Sequence, residues 1–142
     1  MAFRMVVAGL ALSLFCAPAS ALADISIKVD LSDQTMIVRT GFFQPTYTWK
    51  VSTARQGHET PTGTYRPQVL KEMHYSKLYN RSPMPFSIFF SGDYAIHGTA
   101  YVKSLGKPAS HGCIRLHTDN ARMLFEMVRQ AGRGHTTIRI VP

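Results

Sequence analysis

Apolar and polar positions alternate along most of this chain with the two-residue period of half-buried strands. Residues 25–29 alternate strictly, and Met36-Ile37-Val38 follows a polar turn at Ser32-Asp33-Gln34, so the two runs predict a hairpin. Residues 47–52 form a third alternating run, and Thr64-Tyr65-Arg66 begins another after the turn Thr60-Pro61-Thr62-Gly63. Residues 86–90 and 94–96 flank Ser91-Gly92-Asp93, a second hairpin signal. Residues 137–141 are rich in β-branched side chains and predict a closing strand. One segment departs from this period. Between Asp119 and Gln130 the apolar residues Met123, Leu124, Met127 and Val128 recur at helical spacing, which makes them the expected core face of a helix. Thr118, Asp119 or Asn120 can cap its start, and Gly132 and Gly134 can end it. The pattern predicts a mainly β domain, a sandwich or partly closed barrel, with one packed helix.

The N-terminal residues carry a different pattern. Arg4 precedes an apolar run over residues 5–15, Pro18 breaks it, and Ala21-Leu22-Ala23 is a small-x-small sequence. This is the layout of a secretory signal peptide removed after Ala23, and the run is shorter than the roughly 20 residues of a membrane span. A lipid attachment at Cys16 is disfavoured by bulky Leu14 and Phe15 before it. The expectation is therefore a signal peptide over 1–23 and one domain over 24–142, an exported protein of the periplasm or cell envelope with no stable span after cleavage.

The 16 Lys and Arg against 8 Asp and Glu give a net charge of +8. Lys28, Arg39, Lys50, Arg66, Lys77, Lys103, Arg122 and Arg139 are scattered, with no basic run, which disfavours nucleic acid and leaves a soft attraction to anionic wall surfaces. Cysteine usage is more informative. Without Cys16, Cys113 stands alone in an oxidising compartment, so it forms an intermolecular bridge, lies buried and inert, or is reactive.

Two segments carry candidate chemistry: Ile96-His97-Gly98-Thr99 at the end of a predicted strand, and Ser110-His111-Gly112-Cys113-Ile114-Arg115-Leu116 before the helix. A thiol needs a neighbouring base, and imidazole has a suitable pKa. Gly98 and Gly112 allow close backbone approach and N–H groups aimed at an oxyanion. A helix starting shortly after Cys113 would add a positive dipole end favouring thiolate. The bland alternatives are a strand-end His97 and an ordinary turn at Gly112. Cys113, His111 and His97 could also ligate zinc, although neither an HExxH helix nor a second cysteine pair accompanies them. His58 and His74 fall in loop-like polar stretches, His117 near the helix start and His135 between glycine and threonine, all predicting solvated or capping roles. Trp49 and the aromatics of 86–90 predict core or cleft wall, and Tyr75 and Tyr79, between two predicted strands, predict a lid.

The chain resembles the L,D-transpeptidase catalytic domain family, also called the YkuD domain, from about Ile25 to Val141. The resemblance rests on His97-Gly98-Thr99, Ser104-Leu105-Gly106 and residues 110–116, in that order. Thr60-Pro61-Thr62-Gly63-Thr64-Tyr65 is similar to the family's TPxGxF/Y turn, and Met84-Pro85-Phe86 to many members. Arg55 departs from the glycine often found after the Val51-Ser52-Thr53 strand. The resemblance implies a β-sandwich-like catalytic domain acting on peptidoglycan stem peptides without a cofactor or metal. Cys113 would be the nucleophile, attacking the diamino acid carbonyl of a tetrapeptide and releasing D-alanine. His97 would be the proton donor and acceptor, oriented by the Gly98 carbonyl, and His111 with the Gly112 and Cys113 N–H groups would hold the oxyanion. Arg115, Ser110 and Thr99 are expected to bind substrate. The acyl acceptor is left open between a stem peptide, an envelope protein and water, the last making the chain a hydrolase. A wall-binding module without turnover is the reading from another class.

Overall fold

A computed structural model describes residues 23–142. The leader predicted over 1–23 therefore lies almost wholly outside the described residues.

Nine strands form two sheets. The alternation at the start of the domain builds β1 (Ile25–Asp30) and β2 (Thr35–Thr40) as the expected antiparallel hairpin, with β3 (Thr46–Lys50) antiparallel on β2. β4 (Gly63–Tyr65) is short and pairs with the last strand, β9 (Thr136–Val141). The first sheet runs β3-β2-β1-β9-β4, with β1 and β9 parallel. The second sheet runs β5-β6-β7-β8, from β5 (Val69–Tyr75), β6 (Pro83–Ser91), β7 (Tyr94–Thr99) and β8 (Ile114–His117). β6 and β7 form the predicted second hairpin, and β7 and β8 are parallel.

The one α-helix among the described residues, α1 (Thr118–Ala131), follows β8 directly. Its N-cap is His117, whose Nδ1 accepts from the Asp119 N–H at 3.2 Å. Gly132, at φ 92°, ends it as expected. Ala121, Leu124, Phe125, Val128 and Ala131 form the buried face, whereas Met123 is 41 % exposed, so the core stripe is rotated from the one read off the sequence.

Period two decides what each sheet face touches. Ile27, Val29, Val38, Ile138 and Ile140 of the first sheet meet Ile88, Ile96, Ile114 and Leu116 of the second, and α1 closes the same core. Ala95 of β7 and Cys113, just before β8, instead join Met84 and Phe89 in a small cluster on the far side of the second sheet. That outer face carries the candidate chemistry. Two strands were not legible from the chain. β5 falls where the sequence predicts loop, and β8 where it predicts no element.

Candidate active site

Parallel pairing of β7 and β8 places His97 opposite Arg115 and Ile96 opposite Ile114. Ile96 and Ile114 face the core, so His97, Cys113 and Arg115 project from the outer face, where all three line one cavity of about 870 Å³. The cavity is roofed by the β5–β6 connection, from which Ser76, Leu78 and Tyr79 contribute.

His97 is 6 % exposed, and its Nδ1–H donates to the Gly98 carbonyl at 2.7 Å. That bond fixes the Nδ1–H tautomer and leaves the Nε2 lone pair as the acceptor. Burial depresses its pKa from 6.5 to about 4, the Gly98 bond opposing this and Arg115 adding to it. Cys113 is half-buried, with Sγ 3.7 Å from the Asp93 carbonyl. Burial pushes its thiol above the ordinary value, partly offset by the Ala95 N–H and by Arg115. Both shifts favour neutral forms, so the resting pair is thiol and imidazole rather than thiolate and imidazolium. The helix dipole does not alter this. β8 stands between Cys113 and the start of α1, and four strand residues span roughly 13 Å, beyond the first turn over which the dipole acts.

The turn before Cys113 is held by its own hydrogen bonds. Ser110, fully buried, donates from Oγ to the Cys113 carbonyl at 2.6 Å and accepts from the Gly112 N–H at 3.0 Å. The Gly112 N–H expected at the oxyanion is thus engaged by Ser110. Gly112 sits at φ 142°, and a Cβ there would lie 2.5 Å from Tyr94 Cε1 and 2.8 Å from the Glu59 carbonyl oxygen. Its own carbonyl accepts from Thr60 Oγ at 2.8 Å, while the Ala54 N–H donates to the same Thr60 oxygen at 3.0 Å. The first threonine of the Thr-Pro-Thr-Gly turn therefore pins the segment before Cys113, a role its sequence did not reveal. Gln34 extends the frame. Its amide donates to Thr53 Oγ at 2.6 Å and accepts from the Thr53 N–H at 2.9 Å, and the Thr53 carbonyl accepts from the Ser110 N–H.

His111 stacks on Tyr79, with ring centroids 4.0 Å apart and 8° between planes, and meets His58 edge-on at 4.8 Å. Desolvation lowers its pKa, with Arg55, His58 and Arg115 reinforcing the shift. Of the two tyrosines expected in a lid, Tyr79 lines the cavity and Tyr75 ends β5 outside that lining, under the Arg81 guanidinium. His74, read as a loop residue, is on β5 and lines the cavity, its ring edge-on to Phe89 at 5.1 Å. Thr99 is buried outside the cavity lining, and its Oγ accepts from the Tyr101 N–H. Arg115 is anchored by two backbone bonds to Ser52, and its half-buried guanidinium has no carboxylate within ion-pair distance among the described residues. Among those residues no three His, Cys, Asp or Glu side chains converge as metal ligands would.

A family profile described as the L,D-transpeptidase catalytic domain, YkuD, matches residues 24–140. The chain belongs to this family. It is 34 % identical over 89 residues to the probable L,D-transpeptidase ErfK/SrfK of Escherichia coli, a match covering 55 % of this chain and 28 % of that protein. An L,D-transpeptidase from Stackebrandtia nassauensis superposes with a TM-score of 0.72 at 25 % identity, over 90 % of this chain and 59 % of that one. L,D-transpeptidase 3 of Mycobacterium tuberculosis, solved with a faropenem-derived adduct, superposes with a TM-score of 0.70 at 15 % identity, over 84 % of this chain and 61 % of that one. This chain thus spans less than two thirds of each of these relatives. The second of the two structures shares the fold alone. The mainly β fold with two sheets and one helix is the architecture expected of an L,D-transpeptidase catalytic domain.

Proposed function

We propose that residues 24–142 form an exported cysteine acyltransferase that joins peptidoglycan stem peptides through a thioester on Cys113. The observation that carries this reading is the placement of Cys113, His97 and Arg115 on one face of adjacent strands, inside one cavity. Sγ attacks the diamino acid carbonyl of a tetrapeptide while His97 Nε2 takes the thiol proton. With both groups neutral at rest, proton transfer accompanies attack rather than preceding it. The tetrahedral intermediate collapses with cleavage of the C–N bond, and His97 returns the proton to the leaving amine of D-alanine. An amine then attacks the thioester, its proton passes through His97, and Sγ leaves as thiol.

We assign the oxyanion to the Cys113 N–H and His111, with Gly112 shaping the turn and the Gly98 carbonyl holding the His97 tautomer. Arg115, a cavity cation without a carboxylate partner, is assigned to a substrate carboxylate; Ser110 acts by positioning. The reading places the enzyme in the periplasm or envelope after removal of residues 1–23, attracted to anionic wall by its net positive charge. No helix among the described residues is long and apolar enough to cross a membrane.

The test is intact mass after adding a carbapenem or faropenem to the mature protein and to Cys113→Ala. A stoichiometric adduct confined to the wild type supports an activated nucleophile. An absent adduct on folded protein transfers the assignment to a wall-binding module. Products from purified tetrapeptides then separate transfer from hydrolysis: joined stems for the first, tripeptides alone for the second.

A further inference from the structure

The charges around the cavity are unequal. Lys71, Lys77 and Arg115 line it as cations, and Asp93 is the one carboxylate in its lining among the described residues. Such a cavity favours an anionic donor peptide and disfavours the cationic amine that must follow it onto the thioester. An ammonium is stabilised only where the carboxylate is near. Topology sets that place. Asp93 lies in the tight turn between β6 and β7, at the opposite end of β6 from the connection carrying Lys77. Cys113 lies at the Asp93 end, one residue before Ile114, which pairs with Ile96. Its Sγ is 3.7 Å from the Asp93 backbone carbonyl, and Arg115 lies two residues further along β8, opposite His97.

We infer that Asp93 marks an acceptor subsite, where its carboxylate holds the ammonium of the incoming side chain beside the Cys113 thioester, while Arg115, opposite His97, holds the donor. This rests on the acyl-transfer reading above. The ammonium releases one proton to water, and the free amine nitrogen attacks the thioester carbonyl. His97 Nε2 takes the second proton, the C–S bond breaks, and that proton passes to Sγ. An amide and a thiol result, and the carboxylate is unchanged. Asp93 is thus a determinant of transfer over hydrolysis, acting on the cationic acceptor alone.

The experiment acylates wild type, Asp93→Asn and Asp93→Glu with a purified tetrapeptide. The ratio of joined to hydrolysed product is then followed by mass spectrometry against acceptor concentration. Two acceptors are compared: a tripeptide with a free side-chain amine on its diamino acid, and hydroxylamine, which is uncharged near neutral pH. Asparagine suits the same turn, so the first variant removes charge while keeping the backbone. The expected result is a KM for the tripeptide acceptor raised about tenfold in Asp93→Asn, the loss of one charge-assisted contact, and largely recovered in Asp93→Glu. Carbapenem acylation and the hydroxylamine ratio should stay within about twofold of wild type. An unchanged acceptor KM overturns the inference, as does an equal loss with hydroxylamine, which would make Asp93 a turn residue only. Acylation with hydrolysis alone in the wild type also overturns it while sparing Cys113 as nucleophile. Absence of acylation refutes the enzyme reading itself.

Discussion

Lowering the pH from about 7 to about 5 should destabilise this fold by roughly 2 kcal/mol through His97 alone. Burial holds the His97 pKa at about 4, against 6.5 for the free side chain. The unfolded chain therefore binds a proton that the folded chain refuses. Stability from this group is fully present above 6.5 and is lost as pH falls toward 4. The whole difference amounts to about 3 kcal/mol, of which roughly 2 has been lost by pH 5. Because His97 is almost fully buried, little solvent screening reduces it. Urea unfolding of the mature protein at the two pH values measures the loss. With a slope of about 1–3 kcal/mol per molar, the midpoint should fall by roughly 1 M. His74 and His111 are also depressed and contribute in the same direction, so the contribution of His97 is isolated by repeating the pair of titrations on His97→Gln. The variant's midpoint should move by roughly 1 M less than the wild type's. Equal shifts in the two proteins would show that His97 titrates as it does in water and would refute its depression by burial.

Gly112→Ala should destabilise by about 3 kcal/mol, since its Cβ meets Tyr94 and the Glu59 backbone at a positive φ. A urea midpoint within 0.3 M of wild type, an order-of-magnitude tolerance, would contradict that geometry. Thr60→Val removes the donor to the Gly112 carbonyl and should lower carbapenem acylation about tenfold and stability by about 1–2 kcal/mol. Thr60→Ser should restore most of both, and an acylation rate unaffected by valine would show the turn holds without it. Tyr79→Ala should slow acylation through loss of the ring stacked on His111, whereas Tyr75→Ala should not. Equal kinetics for both single variants, followed by stopped-flow absorbance, would remove the roof residue from the mechanism.

What the chain disclosed and concealed follows from the range of each signal. The hairpins β1–β2 and β6–β7 were legible because alternation and polar turns are local. β5 was not, since an edge strand exposed along most of its length carries Lys71, Glu72 and His74 where a buried strand would carry apolar residues. β8 is four residues long, too short for a period to register. Cys113, His97 and Arg115 were found from motif chemistry, but their common face depends on a parallel pairing with no local signature. The same limit hid Thr60 and Asp93, whose residue types are those of ordinary turns. The helix was recognised, yet two methionines were assigned to its core face, and Met123 instead faces solvent because Ala121 and Phe125 complete the buried stripe.

The parallel pairing of β1 with β9 has a consequence for how the chain reaches its native state. Ile25 meets Thr136 and Asp30 meets Val141, so β1 gains its second neighbour only after β9 has been made. β4 also depends on that final strand. A growing chain can close β1 on β2 but cannot complete the sheet, and contacts so distant in sequence form slowly. Synthesis order therefore keeps the first sheet incomplete until β9 has emerged. The first sheet thus carries a built-in delay between the making of its first strand and the completion of its pairing.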